Sequence, residues 1–261
     1  MGAVPGGRAA AGGAAQRGDR RRRRRRRTHP DRAVLHRPHQ DRRGDPLPQP
    51  GRAGAARAEG SPIRSVADLR GKTVSPTTQG SIGHYLLLRA LEEAGVRPDE
   101  VTISFLQPVD AAAAMNSGAI DAWSTWDPYT AVAQRESGAR VLRDAKGLGT
   151  GLTFLDANTA ALDDAGTRAA LTDFTERYGR ALQWARENSR ENAAIYAELT
   201  KRPAAVADLM AQRALRDTQP LSPELVAELQ GVADRYSDYG VLRNRVDVAS
   251  AVEDLRAPSG S

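Results

Sequence analysis

Between residues 72 and 143 the sequence alternates between short apolar runs and amphipathic segments, and this alternation limits the fold more than any other feature. The runs have the length and composition of strands, and the segments between them repeat apolar residues at helical spacing. The predicted elements are strands at 73–75, 101–106, 120–125 and 140–143, with helices at 82–94, 108–117 and 128–136. Strands and helices that alternate through short connections form a parallel or mixed sheet covered by helices. The sequence therefore predicts an α/β fold.

The helix predicted at 82–94 begins in a way that suits anion binding. Gly80, Ser81 and Ile82 open it, and Gly95 follows its last turn, where a left-handed C-terminal cap is common. The first N–H groups of a helix have no partner inside the helix and carry partial positive charge, so they attract anions. The alternative is that these glycine and hydroxyl residues only form a tight turn.

Three polar loops, at 77–84, 107–110 and 126–129, follow the ends of predicted strands. Ligands of sheets of this kind bind beyond the carboxyl ends of the strands, so the three loops are expected at one edge. They bring together a helix N-terminus, an aromatic ring and a carboxylate. This set suits a small ligand whose anionic head binds the helix amides and Ser81 and whose tail packs against Trp126.

Four residues near this edge need separate interpretation. His84 lies in the first turn of its helix, where it contacts a ligand or serves as a capping or solvated side chain. Trp123 and Trp126 are three apart on a strand and point to opposite faces, which predicts Trp123 in the core and Trp126 in the cleft. Asp127 is first a helix cap, followed by Pro128 at the first helical position, and any ligand contact is its second role.

Residues 1–60 differ in composition from the rest of the chain. They hold 16 Arg and five acidic residues, net +11, whereas the other 201 residues hold 22 basic and 27 acidic side chains, net −5. This stretch includes eight consecutive arginines, Arg20 to Arg27, and has no Phe, Trp, Tyr, Ile or Lys, so we expect disorder. Such a tail would bind nucleic acid or acidic membranes without specificity. The interpretation that we favour is GC-rich DNA translated out of frame.

Several classes of function are disfavoured by the sequence. Cysteine is absent, which removes disulfides, thiolate metal sites and cysteine nucleophiles. Gly80-Ser81-Ile82-Gly83 is not a nucleophile elbow, and Gly71-Lys72-Thr73 precedes a strand and not the helix of a phosphate-binding loop. His29, His36 and His39 lack the spacing of metal ligands. We expect no enzyme activity, cofactor or metal, and we find neither a membrane-spanning run nor a secretory signal peptide.

The C-terminal part of the chain is predicted to be helical. After a glycine-rich connector at 147–151 and an extended segment at 152–162, helices are expected at about 165–187, 190–199, 203–216 and 222–239. Apolar residues of the first of these helices are expected to pack in a core; they are Leu171, Phe174, Tyr178, Leu182 and Trp184.

Three segments carry a family resemblance: SVADLRGKTV, GSIGHYLLLRALEEAGV and FLQPVDAAAAMNSGAIDAWSTWDPY. Over residues 61–255 the chain resembles the substrate-binding proteins of ABC importers for aliphatic sulfonates, including taurine, and is similar to their nitrate- and thiamine-precursor-binding relatives. The resemblance implies a type II periplasmic-binding fold, closure of two lobes on the ligand by hinge motion, and delivery to permease subunits in the membrane. It also implies a periplasmic or cell-envelope location and a monomer that binds no specific nucleic acid.

The resemblance assigns site residues as well. The sulfonate site of the family maps onto Gly80, Ser81 and Ile82, and its cleft wall maps onto Trp126 and Asp127. With the neighbouring loop residues, the expected ligand-binding set is Gln79, Gly80, Ser81, Ile82, His84, Gln107, Trp126 and Asp127.

The domain boundaries follow from the same comparison. We expect a disordered tail at 1–60, an α/β ligand-binding lobe at 61–150 and the helix-rich part of the other lobe at 151–255. The tail stands where the family has a leader and the first half of lobe one, so only half a cleft is expected. The alternatives are a degenerate fragment that binds no ligand and a nucleic-acid-associated protein that acts through its tail. An enzyme of thiamine-pyrimidine synthesis is disfavoured because a His/Cys cluster is missing.

Overall fold

Two β-sheets and eight α-helices make up the described part of the chain, which in this computed structural model comprises residues 32–37, 53–57, 61–213, 217–219 and 221–252. The strands are β1 Arg32–Arg37, β2 Ala53–Arg57, β3 Thr73–Ser75, β4 Thr102–Ile103, β5 Ala122–Trp126, β6 Arg140–Asp144, β7 Thr153–Ala157 and β8 Asp217–Thr218. The helices are α1 Ile82–Glu93, α2 Pro108–Ser117, α3 Tyr129–Glu136, α4 Thr159–Asp163, α5 Ala165–Glu187, α6 Ser189–Thr200, α7 Ala204–Arg213 and α8 Pro223–Asp238.

The larger sheet has five strands in the order β4–β3–β5–β2–β6. Strand β3 pairs in parallel with β4 on one side and β5 on the other, so Val74 lies opposite both Ile103 and Ala122. Parallel strands need a crossover connection: α1 connects β3 to its neighbour β4, and α2 leads from β4 across β3 to β5. The predicted α/β fold is confirmed.

Strand β4 is shorter than the sequence predicts. The strand expected at 101–106 is limited to Thr102–Ile103. Strand β4 lies at the edge of the sheet, where only one side has a pairing partner, and Phe105 lies beyond its end with 45% of its surface exposed. The alternation of apolar residues on which the prediction rested therefore extends beyond the end of strand β4.

The two sides of the larger sheet carry separate cores, as the pleat of β5 requires. On the α1 side, Leu86, Leu87 and Leu91 pack with Val74 and Ala122. On the α2 side, Met115 and Ile120 pack with Trp123. Neighbouring residues of β5 thus enter opposite cores, and the sheet is covered by helices on both sides.

Strands β1 and β2 lie inside the stretch expected to be disordered, so the structure differs from that expectation at 32–37 and 53–57. Strand β2 pairs antiparallel with β5 and β6, and β1 pairs antiparallel with β7 and β8. The partner strands lie about 70 to 180 positions further along the chain. Pairing with such distant strands cannot be predicted from local composition. The rest of 1–60, including Arg20 to Arg27 and the proposed shift of reading frame, lies outside the described residues.

The C-terminal helices match the predicted positions, with α7 ending at Arg213 before the gap in the description at 214–216. The expected core of α5 is confirmed only at Leu171, which packs on Ala157 and Leu162; no residue of the helix is fully buried, and Phe174 is 51% exposed. Apolar spacing marks a face that can pack, but whether a partner covers it depends on the rest of the fold. Of the helices in the described ranges, none combines the length and apolarity that crossing a membrane requires.

Helices α7 and α8 pack on elements that precede the expected domain boundary at residue 150. Helix α7 lies against α3, and α8 lies against α1 through the tilted rings of Tyr236 and Tyr85, whose centroids are 5.1 Å apart. The division into lobes at 61–150 and 151–255 stays a prediction. These two packings bring C-terminal side chains to the carboxyl edge of the larger sheet.

Candidate functional site

The candidate site lies at the carboxyl ends of β3 and β5, which are parallel neighbours in the larger sheet. The loop from Pro76 to Ser81 leads from β3 into α1, and Asp127 and Pro128 lead from β5 into α3. The first turn of α1 lies directly against β5, because the Ser124 hydroxyl donates a 2.7 Å hydrogen bond to the Gly83 carbonyl. The predicted meeting of these two loops at one edge is consistent with this contact.

Ser81 is the N-cap of α1, and the single donor hydrogen of its hydroxyl is used within the protein. The oxygen accepts from the His84 N–H at 3.2 Å, and the hydroxyl donates to the Pro76 carbonyl at 2.8 Å. The next two N–H groups, of Ile82 and Gly83, have no acceptor within the described ranges. A ligand anion would therefore meet backbone amides at this helix start, and the Ser81 side chain holds the turn that presents them.

Gly83 allows α1 to approach β5 closely. A Cβ atom at this position would lie 2.4 Å from the Ser124 carbonyl oxygen and 2.9 Å from the Pro76 carbonyl oxygen. Both distances are shorter than any normal contact, so a side chain would push the helix start away from the strand. Sequence reasoning missed Gly83; the available signal was a glycine inside the first turn of an otherwise apolar helix.

His84 is a capping histidine, which was one of its two predicted roles. The ring is 5% exposed, and its Nδ1 accepts a 3.2 Å hydrogen bond from the Gly80 N–H. The ring meets Phe105 edge-on with centroids 5.2 Å apart. Burial lowers the pKa of His84 from its ordinary value, so the imidazole is neutral near pH 7. Ligand contact by His84 stays a prediction.

Tyr236 on α8 reaches the same turn from the C-terminal part of the chain. Its hydroxyl donates to the Ser81 carbonyl at 2.8 Å and lies 3.1 Å from the Gly80 carbonyl. Burial raises the pKa of Tyr236, so the hydroxyl remains a donor at physiological pH. Sequence reasoning missed this contact because the partners are about 155 positions apart and no local pattern connects them.

The two tryptophans of β5 occupy opposite sides of the sheet, as predicted. Trp123 is 2% exposed in the core on the α2 side, whereas Trp126 is half-buried and packs on the core of the α1 side. The Tyr129 ring, in the first turn of α3, lies 6.0 Å from both indoles. Trp123 as a core residue is confirmed, and Trp126 as part of a cleft wall stays a prediction.

Asp127 belongs to a buried ion pair that the sequence did not reveal. Its Oδ1 lies 3.1 Å from the Arg213 guanidinium, and the two side chains are 7% and 11% exposed. Arg213 also donates to the Gln134 side-chain oxygen. The predicted cap needs correction in one respect: Pro128 occupies the N-cap position and α3 begins at Tyr129, while the Asp127 carboxylate accepts from the Ala131 N–H. Ligand contact by Asp127 stays a prediction.

The remaining predicted site residues lie at the surface. Gln79 and Gln107 are exposed, and Ile82 is 48% exposed at the first position of α1. Gln107 occupies the N-cap position of α2, and Asp110 lies inside its first turn. Ligand contact by Gln79, Ile82 and Gln107 stays a prediction.

Buried hydroxyl groups are concentrated near the same edge. Within the described residues, the hydroxyl oxygens of Ser75, Thr77, Thr125 and Thr130 are buried and have no hydrogen-bond partner. Thr77 also has a positive φ of 73°, which is uncommon for a β-branched residue. Backbone strain clusters at functional sites, and buried polar groups without a partner are rare elsewhere in folded proteins. Sequence reasoning did not single out these hydroxyls.

Metal binding finds no support in this region. Across the described ranges, no three side chains of the types His, Cys, Asp and Glu gather closely enough to hold a metal ion together. The edge instead offers backbone N–H groups and hydroxyls, which are hydrogen-bond donors. Covalent catalysis would need a nucleophile beside a free base, and His84 and Ser81 are occupied by the helix cap.

Comparison with known proteins places the chain in a family. Residues 49–191 match the family model described as NMT1/THI5 like, which is more than half of the chain. The chain belongs to the NMT1/THI5-like family. This NMT1/THI5-like chain is also 35% identical over 198 residues to a curated relative from Escherichia coli that is named as an aliphatic sulfonates-binding protein. The match covers 75% of this chain and 60% of that relative, so the chain spans about three fifths of its length.

Solved structures show the same fold. The periplasmic aliphatic sulphonate binding protein SsuA from Escherichia coli superposes with a TM-score of 0.72 at 29% identity, over 89% of this NMT1/THI5-like chain and 71% of that one. The alkanesulfonate-binding protein SsuA from Xanthomonas axonopodis pv. citri, bound to MOPS, gives a TM-score of 0.74 at 28% identity over 85% and 73%. The predicted periplasmic-binding-protein fold is confirmed.

Proposed function

We propose that this chain is the solute-binding component of an ABC-type importer, which captures aliphatic sulfonates or a similar small organosulfur anion for delivery to the permease. The observation that carries the proposal is the start of α1, where the N–H groups of Ile82 and Gly83 have no acceptor within the described residues. They lie at the carboxyl edge of a parallel strand pair, where ligands of such sheets bind. The names of the similar proteins support the ligand class.

A sulfonate group suits this helix start. It carries a full negative charge over three oxygens, so it can accept from both amides at once and gains from the positive end of the helix. The Ser81 side chain contributes indirectly by holding the turn through Pro76 and His84. The chemistry of the site is capture by hydrogen bonds, with no bond made or broken.

The Asp127–Arg213 ion pair makes the edge compatible with an anion. An unpaired carboxylate beside the start of α1 would repel a sulfonate, and the guanidinium 3.1 Å away offsets that charge. The proposed wall for the ligand tail is Trp126, with Gln79, Ile82 and Gln107 at the exposed rim. The proposal extends to a periplasmic or cell-envelope location, which the periplasmic relative supports.

Binding is tested by titration calorimetry of the full chain with ethanesulfonate, taurine and MOPS, and with propionate and nitrate for comparison. Saturable binding of one sulfonate per chain is expected, with the matched carboxylate weaker because it has one oxygen fewer. A sulfonate at 100 times its Kd should stabilise the fold by about 2.7 kcal/mol. If none of the three sulfonates binds at pH 7.5, the chain is a degenerate member of its family.

The helix start is tested by Ile82→Pro, which removes one of the two amide donors. Proline is favoured at the first helical position, and Ser81 already has the extended conformation that a residue before proline requires, φ −73° and ψ 164°. The variant should remain folded and bind sulfonates at least tenfold more weakly. The matched control is Ala165→Pro at the first position of α5, which should bind as the unchanged chain does. Equal affinity of both variants would exclude the Ile82 N–H as a donor to the ligand.

A further inference from the structure

We infer that His84 is a positioning residue whose unprotonated Nδ1 holds the Gly80–Ser81 turn in its anion-binding form, so that acid weakens sulfonate binding. This inference rests on the proposed function for its effect on the ligand, but not for its structural part. It also changes the predicted role of His84 from a ligand contact to a support of the ligand-binding amides.

The direction of one hydrogen bond carries the inference. The Gly80 N–H can only donate, so Nδ1 of His84, 3.2 Å away, must be the acceptor. A neutral imidazole has one donor and one acceptor nitrogen, which places its single proton on Nε2. If His84 gains a second proton, Nδ1 becomes a donor that faces another donor.

The surroundings of the ring oppose both its rotation and its protonation in place. The ring is 5% exposed and lies edge-on against Phe105, 5.2 Å between centroids, so it cannot rotate without disturbing that contact. Its own N–H is the third of α1 and is bonded to the Ser81 hydroxyl, so a charged ring would also sit at the positive end of the helix. Both effects oppose protonation in place, and relief requires the turn to open.

The ionisable groups near His84 do not offset such a charge. The segment after β4 contributes Phe105, which does not ionise, and the loop from Pro76 to Gly80 has no charged side chain. Helix α8 contributes the Tyr236 hydroxyl, which is engaged with the Gly80 and Ser81 carbonyls. Burial is the cause that lowers the pKa of His84, and no charged group of the described residues contributes to the shift.

The turn links His84 to the ligand site. The residues that the Nδ1 bond and the Ser81 cap hold together, Gly80 to His84, contain both free amides of the helix start. Tyr236 donates to the carbonyl side of the same turn, so the turn is held from two sides. Loss of the histidine acceptor would release one side and let the amides turn away from a common oxygen.

The expected sign of the pH effect separates this role from direct contact. Aliphatic sulfonates remain anionic from pH 8 to pH 5, so any change in affinity comes from the protein. A histidine that touched the anion would bind it more tightly when protonated. A histidine that must stay unprotonated gives the opposite: affinity for ethanesulfonate falls as the pH drops through the pKa of His84, which burial holds below its ordinary value of 6.5, with a limiting slope of about tenfold per pH unit.

Two variants isolate His84 from the other three histidines of the chain. His84→Asn keeps an acceptor oxygen near the position of Nδ1 but does not titrate, so its affinity should be flat between pH 5 and pH 8. His84→Leu removes the acceptor and should bind weakly at every pH. A rise in affinity of the unchanged chain at pH 5.5, or the same pH dependence in His84→Asn, would overturn the inference.

A measurement without ligand distinguishes failure of this inference from failure of the proposed function. Long-range proton–nitrogen NMR of the imidazole reports the tautomer directly, and the Nε2–H form is expected at pH 7.5. An Nδ1–H form would overturn the inference whatever the ligand result. The Nε2–H form, together with absence of sulfonate binding at pH 7.5, would support the structural role of His84 and refute the proposed function alone.

Discussion

At the residue scale, the closest approach at the candidate site depends on the missing side chain of Gly83. Two carbonyl oxygens, of Ser124 and Pro76, occupy the space that a Cβ would need. Because both belong to the backbone, neither can move aside as a flexible side chain would. The position of α1 relative to β5, and so of its free amides relative to Trp126, depends on this contact.

Gly83→Ala is therefore expected to destabilise the fold by about 1 to 3 kcal/mol, the usual cost of overpacking a filled site. Urea denaturation followed by circular dichroism measures the change. Gly231 in α8 is the matched control, since a Cβ there has no atom within 4 Å, and Gly231→Ala should be neutral or stabilise by up to about 1 kcal/mol. If both alanine variants gain stability, the close approach of α1 to β5 is wrong.

At the element scale, α8 packs against the start of α1 and holds it in place. Tyr236 packs on Tyr85 and donates to the Ser81 carbonyl, and one turn later Tyr239 bonds to Glu92 near the end of α1. The two helices are thus connected at both ends of α1. The connection at the N-terminal end holds the turn that presents the proposed anion-binding amides.

Tyr236→Phe tests this role of α8, because it removes the hydroxyl and keeps the ring against Tyr85. A loss of about 0.5 to 1.5 kcal/mol in unfolding free energy is expected, with faster hydrogen exchange of amides in the first turn of α1. Tyr239→Phe is the control: its partner Glu92 is 50% exposed and keeps Arg89, so exchange in the first turn should not change. Identical exchange rates in both variants would contradict the role given to α8.

At the scale of the whole molecule, the Asp127–Arg213 pair joins the α/β part of the chain to the C-terminal helices. The side chains are about nine-tenths buried and 86 positions apart in sequence. Burying one charge without the other is costly, so the pair ties the position of α7 to that of β5 and α3. Helix α5 has no fully buried residue, so it is not fixed to the rest of the fold by a buried contact of this kind.

Arg213→Met should destabilise the fold by about 3 kcal/mol, because it removes the guanidinium charge that faces a buried carboxylate. Adding Asp127→Asn should restore part of that loss, since the amide still accepts from the Ala131 N–H and carries no charge. A double-mutant cycle in urea measures the coupling. Arg177→Met, at the exposed pair with Asp173, serves as the control and should produce no measurable change. A coupling energy between Asp127 and Arg213 that is no larger than the effect of Arg177→Met would contradict the stabilising role given to this ion pair.

Local sequence pattern determined most elements of this protein and the fold class. Apolar spacing placed α1, α2, α5 and α8 to within a few residues, and strand–helix alternation identified the parallel neighbours β3 and β5, because these signals depend on residues close in sequence. The glycine and serine at the start of α1 and the indole of Trp126 were identified for the same reason. Strands β1 and β2 were not identified, because they form by pairing with the edges of strands that lie far away in sequence.

Only the tertiary structure decided how the site is assembled. Tyr236 and Arg213 reach the edge from helices more than 80 positions away, and Gly83 is required by an oxygen of another strand. His84 changed most: the sequence allowed a ligand contact or a cap, and the fold buries the residue with its Nδ1 accepting from the Gly80 N–H. A sequence specifies which groups are available, whereas burial and the direction of hydrogen bonds, which decide what a group can do, depend on neighbours that only the folded chain supplies.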